Sequence, residues 1–258
     1  MSGPAPKKSL GQHFLVDDNI LGVIARLAEL DGNDVVLEIG PGLGALTELL
    51  SARCAHVHAV ELDARLEPHL RHLIGASNVS MYWGDALRMD LSRFEPVPTK
   101  LVANLPYNVA TPIVAESLDG LPTVECWCVM VQREVADRFF AVPSTKAYGA
   151  VSVLIQLAAR RTGFHPVSRT VFRPPPNVDS ALVAFRRIPL PPDFAAVRRV
   201  VEGAFAHRRK TLANSLQLAG VATREDAADA LVDLALSPAV RAEALDPDVF
   251  LELTRKIA

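Results

Sequence analysis

The chain has 258 residues, of which 50% are hydrophobic, enough for one large α/β domain or one domain with a small appendage. No apolar run approaches the length of a membrane span, and residues 1–10 lack the apolar region of a signal peptide. Three cysteines are too few for a disulfide framework or a zinc site. The composition therefore favours a globular protein of the reducing cytoplasm, with no bound metal.

The net charge of -2 hides an uneven distribution along the chain. Residues 1–150 contain 12 Lys/Arg and 18 Asp/Glu, whereas residues 151–258 contain 15 and 11. Between Arg160 and Lys210 the counts are 11 and 3. A basic block is usually a solvated surface, but so strong a bias inside a slightly acidic protein favours a polyanionic partner.

The chain begins with residues 1–8, which are small, Pro-containing and basic and predict a mobile arm. Residues 9–15 follow, and apolar residues at helical spacing then predict a helix over 18–30. A segment of this kind ahead of the first strand is placed to lie over a cofactor. His13 fits that role and fits equally a helix-entry residue with no ligand contact.

A glycine-rich turn follows the first apolar run and opens into a predicted helix over 43–52. Gly40, Gly42 and Gly44, at alternating positions, leave no Cβ between the backbone and a ligand. Glu61 ends the next apolar run and is placed to accept hydrogen bonds from two ribose hydroxyls. The pattern also fits a dinucleotide-binding turn, so a nicotinamide or flavin oxidoreductase stays open at this point.

Strands and helices alternate through the first half of the chain. The predicted strands cover 35–39, 56–61, 79–83, 100–104 and 124–131, and the predicted helices cover 43–52, 64–74, 110–118 and 133–141. This alternation predicts a parallel sheet with helices on both faces, whose ligands lie at the carboxyl ends of the strands. Those ends carry Gly40, Glu61, Asp85 and the motif Asn104–Tyr107. Asp85 is placed to accept a hydrogen bond from an adenine amino group, or to cap a short helix after it.

The motif Asn104-Leu105-Pro106-Tyr107 fits methyl transfer to an adenine amine. That nitrogen is a poor nucleophile because its lone pair is delocalised into the ring. The Asn104 oxygen and the carbonyl before Pro106 can hold both N–H groups and aim the lone pair at a methyl donor, while Tyr107 stacks on a flipped base. No general base is needed, because the methylated amine is cationic and loses its proton to water. The structural alternative is a strand that ends in a Pro turn with a core Tyr.

In the second half of the chain, the sequence pattern predicts a helix over 147–159 and then two strands joined by a Pro-rich connection. Ile188–Pro192 predicts a linker, and helical patterns follow it to the end. We therefore expect a domain over 1–188 that holds the cofactor and adenine sites, and a helical RNA-binding domain over 189–258. The basic triplet Arg208, Arg209 and Lys210, at the predicted start of a helix over 208–219, fits RNA phosphate contacts. Surface solubility explains a lone triplet about as well.

Taken together, the motifs closely resemble the KsgA family of ribosomal RNA adenine dimethyltransferases. The resemblance covers Glu61 and Gly84-Asp85 and the segments Leu10–Leu15, Glu38–Thr47, Asn104–Tyr107, Gln132–Arg138, Phe172–Ser180 and Phe205–Leu212. The glycine motif alone is shared by a broad superfamily, whereas this combination is specific. The resemblance implies an α/β fold, namely a Rossmann-like class I S-adenosylmethionine-dependent methyltransferase sheet with a small all-helical C-terminal domain.

The resemblance also implies an activity and a site. S-adenosylmethionine would donate methyl groups to N6 of two adjacent adenosines near the 3′ end of small-subunit (16S) rRNA, on an assembling 30S subunit. The residues implied to contact the donor are His13, Leu15, Gly40, Gly42, Glu61, Leu62, Asp85, Ala86 and Asn104. The implied catalytic residues are Asn104, Leu105, Pro106, Tyr107 and Phe172, with Tyr107 stacked on the adenine and Phe172 facing it from the other side. Many relatives have Asn at the position of His13, and both side chains can bind the donor carboxylate.

Three alternatives remain beside this interpretation. The large-subunit adenine methyltransferases of macrolide resistance belong to the same superfamily, but the basic triplet and the triple proline favour the small-subunit enzyme. An oxidoreductase would need a Tyr/Lys or His/Asp pairing near a nicotinamide, and Tyr148 near Lys146 has the wrong spacing. An assembly factor with no catalysis would need a damaged site, yet the glycine turn, Glu61 and Asn104 are intact. We expect a monomer, since nothing in the sequence indicates an obligate partner.

Overall fold

The fold is described from a computed structural model that covers residues 12–75 and 78–257. The predicted arm at residues 1–8 and the motif residues Leu10 and Gly11 lie outside the described residues.

The secondary structure follows the predicted alternation closely. The strands are β1 (Phe14–Leu15), β2 (Val35–Ile39), β3 (His56–Glu61), β4 (Val79–Trp83), β5 (Lys100–Asn104), β6 (Cys126–Gln132), β7 (Ala159–Val167), β8 (Phe172–Arg173) and β9 (Ser180–Arg187). The helices are α1 (Asp18–Leu27), α2 (Ala45–Arg53), α3 (Glu67–Ile74), α4 (Ala110–Gly120), α5 (Arg133–Phe139), α6 (Ala150–Ala158), α7 (Phe194–Phe205), α8 (Leu212–Leu218), α9 (Arg224–Asp233) and α10 (Pro247–Ile257).

Seven strands form the central sheet in the order β4-β3-β2-β5-β6-β9-β7. The first five are parallel to their neighbours, as the alternation of strands and helices predicts. β9 runs antiparallel to β6, so the sheet is mixed and not fully parallel. The reason is the Pro-rich connection before β9, which holds no crossover helix of the kind that a parallel return requires.

A separate two-stranded sheet joins β1 to β8. Phe14 pairs with Arg173, Leu15 pairs with Phe172, and the Val16 N–H donates to the carbonyl of Val171 at 3.0 Å. The segment that precedes α1 is thereby fixed against the Pro-rich connection.

Two arginines of the predicted basic block have structural roles. The Arg187 guanidinium donates to three backbone carbonyls in the segment 118–124 and lies 4.8 Å over the ring of Trp127. Arg186 forms an ion pair with Glu29. The basic block is therefore not one continuous surface for a polyanion, because part of its charge holds the sheet to its neighbouring segments.

The chain divides into two compact units. The sheet unit is the described part of Met1–Ala136 with Arg161–Arg187, and the helical unit is Asp137–Arg160 with the described part of Ile188–Ala258. The segment 137–160 thus differs from the expected division at residue 188. Within the helical unit its Tyr148 is 1% exposed and donates its hydroxyl to the carbonyl of Leu245 at 2.7 Å. The apolar α6 packs against α7, which explains its membership of this unit.

Among the described residues, no helix is both long and apolar enough to cross a membrane. The same part of the chain has no group of three or more His, Cys, Asp or Glu side chains that could hold a metal ion. Cys54, Cys126 and Cys128 are buried free thiols.

Candidate functional site

A cavity of about 280 Å³ opens at the carboxyl ends of β2, β3, β4 and β5 in the sheet unit. This is the edge at which a doubly wound sheet binds its ligands. Its lining brings together nearly all residues implied for the donor and the adenine: His13, Leu15, Gly40, Gly42, Glu61, Leu62, Asp85, Ala86, Asn104, Leu105, Pro106 and Tyr107.

The glycine turn after β2 forms a cradle at the floor of the cavity. Gly40 and Gly42 have φ of 76° and 62°, in the left-handed region that side chains disfavour. A Cβ on Gly42 would lie 3.0 Å from the ring of Phe14, and one on Gly40 would lie 3.3 Å from Pro106. Only glycine leaves room here, so the backbone itself faces the ligand.

Glu61 closes one side of the cavity at the end of β3. Its two carboxylate oxygens accept the N–H groups of Gly42 at 3.2 Å and Asp63 at 2.8 Å. Burial raises the pKa of this carboxyl, which is 5% exposed. Leu62 follows with 55% of its side chain exposed. An apolar face beside a buried carboxylate fits the flat surface of a nucleoside base.

Glu38 lines the cavity, although the sequence analysis assigned it no role. It is the fourth residue of the fully buried β2, is 1% exposed, and its Oε2 has no hydrogen-bond partner among the described residues. Burial raises its pKa to about 8, and the nearby charge of Glu61 adds to the shift. The available signal was an acidic residue inside an otherwise apolar strand, directly before the glycine turn.

Residues 12–15, here called the strap, run along the cavity and are fastened at both sides. The Gln12 amide donates to the buried carboxylate of Asp63 at 3.0 Å. His13 Nδ1 lies 2.8 Å from the carbonyl oxygen of Pro174, to which only a protonated nitrogen can donate. The strap therefore connects the loop after β3 to the Pro-rich connection before β9.

Asn104 ends β5 and is oriented by the strap. Its side-chain Nδ2 donates to the His13 carbonyl at 3.2 Å, so its Oδ1 faces away from that carbonyl and keeps its acceptor capacity. The next residue, Leu105, is 1% exposed and donates its N–H to the carbonyl of Met130 at 3.0 Å. The backbone around the Leu105 carbonyl is consequently held against β6.

Tyr107 is half-buried in the cavity wall and is held at its hydroxyl end. Its hydroxyl is hydrogen-bonded to that of Ser180 at 2.5 Å, and its ring lies 5.5 Å from the ring of His13. Burial raises the pKa of Tyr107, so the phenol stays neutral at physiological pH. A neutral ring with a fixed hydroxyl is suited to stacking on a base.

Asp85 lines the cavity beside Ala86 and also shapes its own loop. One of its oxygens accepts the N–H of Leu87 at 3.0 Å. The segment after Asp85 is a turn and not the short helix considered above, so this contact orders a turn and caps no helix. It leaves the second oxygen available within the cavity wall.

Phe172 does not line the cavity. It is 1% exposed and belongs to the apolar core together with Leu15, its partner across the β1–β8 pair. The geometry thus differs from the expectation that Phe172 faces the adenine, because this register turns the ring inward.

The basic triplet lies in the helical unit and is not part of the cavity. Arg208, Arg209 and Lys210 are exposed in the turn between α7 and α8, since α8 begins only at Leu212. The Arg208 guanidinium lies 3.5 Å from the carbonyl of Lys146.

Comparisons with known proteins identify the family of the chain. Residues 5–256 match the family model for ribosomal RNA adenine dimethylase. The chain is 48% identical to a ribosomal RNA small subunit methyltransferase A of Rubrobacter xylanophilus, over 99% of this chain and 96% of the relative. A protein of the same name from Lactiplantibacillus plantarum is 46% identical, over 96% and 88%.

Two solved structures extend the likeness to three dimensions. A dimethyladenosine transferase from Plasmodium falciparum matches with a TM-score of 0.77 and 25% identity, over 93% of this chain and 96% of that one. The 23S rRNA methyltransferase ErmE matches with a TM-score of 0.66 and 28% identity, over 95% and 99%. These findings confirm the resemblance drawn from the motifs, including the class I methyltransferase fold. The chain belongs to the ribosomal RNA adenine dimethylase family, and it is an S-adenosylmethionine-dependent adenine methyltransferase of ribosomal RNA.

Proposed function

We propose that this enzyme dimethylates N6 of two adjacent adenosines near the 3′ end of small-subunit (16S) rRNA. It acts as a monomer in the cytoplasm, on 30S subunits during their assembly. Relatives at 48% and 46% identity carry the name of a small-subunit methyltransferase, which supports this choice of subunit. The observation that carries the proposal is the shared cavity, whose wall includes both Glu61 and Asn104.

The part of the cavity formed by the glycine turn, Glu61 and Asp85 fits S-adenosylmethionine. The cradle of Gly40 and Gly42 admits the donor's amino-acid part, Glu61 receives the ribose hydroxyls, and Leu62 and Asp85 hold the adenine ring and its amino group. Leu15 and Ala86 line the same wall, and His13 lies near the donor carboxylate. Bound S-adenosylmethionine supplies an electrophilic methyl group on a sulfonium.

The part of the cavity formed by Asn104–Tyr107 receives the target adenine and positions its amine, which is the nucleophile. The Asn104 Oδ1 and the Leu105 carbonyl accept the two N–H groups of the target amine, which directs its lone pair toward the donor. Pro106 stiffens the loop, and Tyr107 stacks on the flipped base. Because the methylated amine is cationic and acidic, its proton passes to water and no side-chain base is required.

The helical C-terminal region binds the RNA. Arg208, Arg209 and Lys210 are exposed together and contact phosphates of the folded rRNA. This contact holds the subunit while Asn104 acts on the adenosine.

The test measures transfer of labelled methyl from S-adenosylmethionine to purified small and large subunits that lack these modifications. Wild type is compared with Asn104→Ala and with Asn33→Ala, an exposed amide in the turn before β2. We expect label on small subunits only, at two adjacent adenosines, abolished by Asn104→Ala and retained by Asn33→Ala.

Label on large subunits would instead assign the enzyme to the large-subunit adenine methyltransferases of macrolide resistance. Absence of label on both subunits, with both bound, would leave an assembly factor. Sedimentation of the enzyme, with and without ribosomal subunits, measures its oligomeric state. The mass of one chain would support the monomer, and a multiple of that mass would contradict it.

A further inference from the structure

The buried carboxyl group of Glu38 has no part in the mechanism described above. Glu38 is 1% exposed and lines the cavity two residues before Gly40. Its Oε2 has no hydrogen-bond partner among the described residues. A buried polar atom costs free energy unless it is hydrogen-bonded. Such an atom in the wall of a binding cavity therefore points to a polar group of the ligand.

The charges around this carboxyl favour a cationic partner. The titratable residues that line the cavity are His13, Glu38, Glu61, Asp85 and Tyr107. Neither lysine nor arginine occurs among the described residues of this lining. Lys100 of the neighbouring strand β5 lies at the other end of that strand, where it pairs with Asp34 at 2.8 Å. A positive charge beside Glu38 must therefore come from the ligand.

The free enzyme holds Glu38 as a neutral acid at physiological pH. Burial is the largest cause that raises its pKa to about 8, the Thr47 hydroxyl of α2 opposes the shift, and the charge of Glu61 adds to it. The Thr47 Oγ1 is buried as well, and it too has no hydrogen bond of normal geometry within the described part of the chain. The polar neighbours on α2 and β3 thus leave the carboxyl unsatisfied.

The methyl donor carries a group that fits this carboxyl. S-adenosylmethionine has an α-ammonium group in the amino-acid part that the glycine turn admits under the proposed function. An ammonium has three N–H donors and no acceptor, so it can donate to the oxygens of Glu38. The sulfonium has a charge but no N–H and cannot satisfy Oε2. A cation beside a buried acid favours the carboxylate, so donor binding and ionisation of Glu38 favour each other.

We propose that Glu38 binds the α-ammonium group of the methyl donor and ionises as the donor binds. The carboxyl proton leaves to solvent water, and the resulting carboxylate accepts hydrogen bonds from the ammonium. One proton is released for each donor bound, and it is taken up again when the product, which keeps the ammonium, dissociates. This inference rests on the proposed placement of the donor's amino-acid part at Gly40 and Gly42, but not on the choice of ribosomal subunit.

The test measures ligand binding by calorimetry without RNA, from about pH 6 to about pH 7.5, a range in which the ligand keeps its ammonium. Two ligands are compared: S-adenosylhomocysteine, which has the amino-acid part, and methylthioadenosine, which lacks it. For wild type we expect the Kd of S-adenosylhomocysteine to fall by up to about tenfold per pH unit, because the complex holds one proton fewer. Titrations in two buffers that differ in ionisation enthalpy should show release of about one proton with this ligand and none with methylthioadenosine.

Glu38→Gln keeps the shape of the side chain but cannot ionise. It should bind S-adenosylhomocysteine on the order of tenfold more weakly at the upper end of the pH range, and its Kd should lose most of the pH dependence. Its affinity for methylthioadenosine should stay within about twofold of wild type, which shows that the site is folded. Glu48→Gln, which removes an exposed carboxyl group of α2, is the matched control and should bind both ligands as wild type does.

Binding of S-adenosylhomocysteine to wild type without release of a proton would overturn the proposal, and so would equal slopes of log Kd against pH in wild type and Glu38→Gln. An equal loss of affinity for both ligands in Glu38→Gln would also overturn it, because the ammonium would then not be the group that Glu38 binds. If wild type bound neither ligand, the proposed donor site and this inference would both fail. Failure to methylate small subunits would contradict the proposed function alone, since these binding measurements use no RNA.

Discussion

The hydroxyl groups of Tyr107 and Ser180 are hydrogen-bonded at 2.5 Å, across 73 residues of sequence. This bond joins the Asn104–Tyr107 motif to the end of the Pro-rich connection. It fixes the orientation of a ring that is attached to a loop. Under the proposed function it thereby sets the plane on which the target base would stack.

We expect Tyr107→Phe and Ser180→Ala each to lower kcat/KM about two- to tenfold, the value of one neutral hydrogen bond. Because both changes remove the same bond, the double variant should be no worse than either single one. Tyr107→Ala should lose considerably more, since the stacking surface goes with it. Tyr82→Phe is the control, because that hydroxyl bonds His58 and does not line the cavity. Additive losses in the double variant would contradict the bond's role.

Asp63 links the strap to the donor side. Its carboxylate accepts from Gln12 and from the Arg65 guanidinium, and the bond to Arg65 holds its pKa well below the usual range. Its own N–H orients Glu61. We expect Asp63→Asn to weaken S-adenosylmethionine binding about tenfold by calorimetry, with little change in KM for the subunit, because an amide loses the charge-assisted bonds. Asp90→Asn, an exposed carboxylate paired with Arg93, should bind the donor as wild type does.

Glu38 makes stability depend on pH. Its pKa in the folded protein is about 8 against 4.5 unfolded, so the folded state holds the proton more tightly. This contribution is complete below pH 4.5 and is lost as the pH rises to about 8. Melting temperatures from pH 5 to 9 should therefore fall more steeply for wild type than for Glu38→Gln. The exposed Glu48→Gln should follow wild type. Parallel curves for wild type and Glu38→Gln would refute the assignment.

The salt dependence of subunit binding should show whether the basic triplet contacts RNA phosphates. Replacing Arg208, Arg209 and Lys210 by Ala removes up to three phosphate contacts, which should lower the log–log salt slope of subunit binding by up to about 3. Replacing both arginines by lysine keeps the charge and should keep most of the slope. Donor affinity should not change in either variant. A triple-Ala variant with the wild-type salt slope would place the RNA contact elsewhere.

The sequence predicted those parts of the fold and site that depend on local patterns. Strand β5 was bounded correctly, and the strand ends at Gly40, Glu61 and Asn104 were expected to meet. Each follows from apolar periodicity, a glycine turn or a proline, all within a few residues.

The remaining features depend on contacts between distant segments. β1 and β8 have two residues each and pair across more than 150 positions. Strands this short show no alternating pattern from which they could be predicted. The inward direction of Phe172 is a consequence of that register. Likewise, α6 was assigned to the first domain because the proline-rich linker lies after it, whereas burial of Tyr148 places it with the later helices.

The bond between the Asn104 amide and the His13 carbonyl has a consequence for substitutions at position 13. Every amino acid supplies a main-chain carbonyl, so the orientation of the Asn104 amide does not depend on which side chain occupies position 13. A change of the His13 side chain alters its contacts with the Pro174 carbonyl and the Tyr107 ring but leaves this bond in place. The backbone of the strap, and not the side chain of residue 13, therefore sets the orientation of the Asn104 amide.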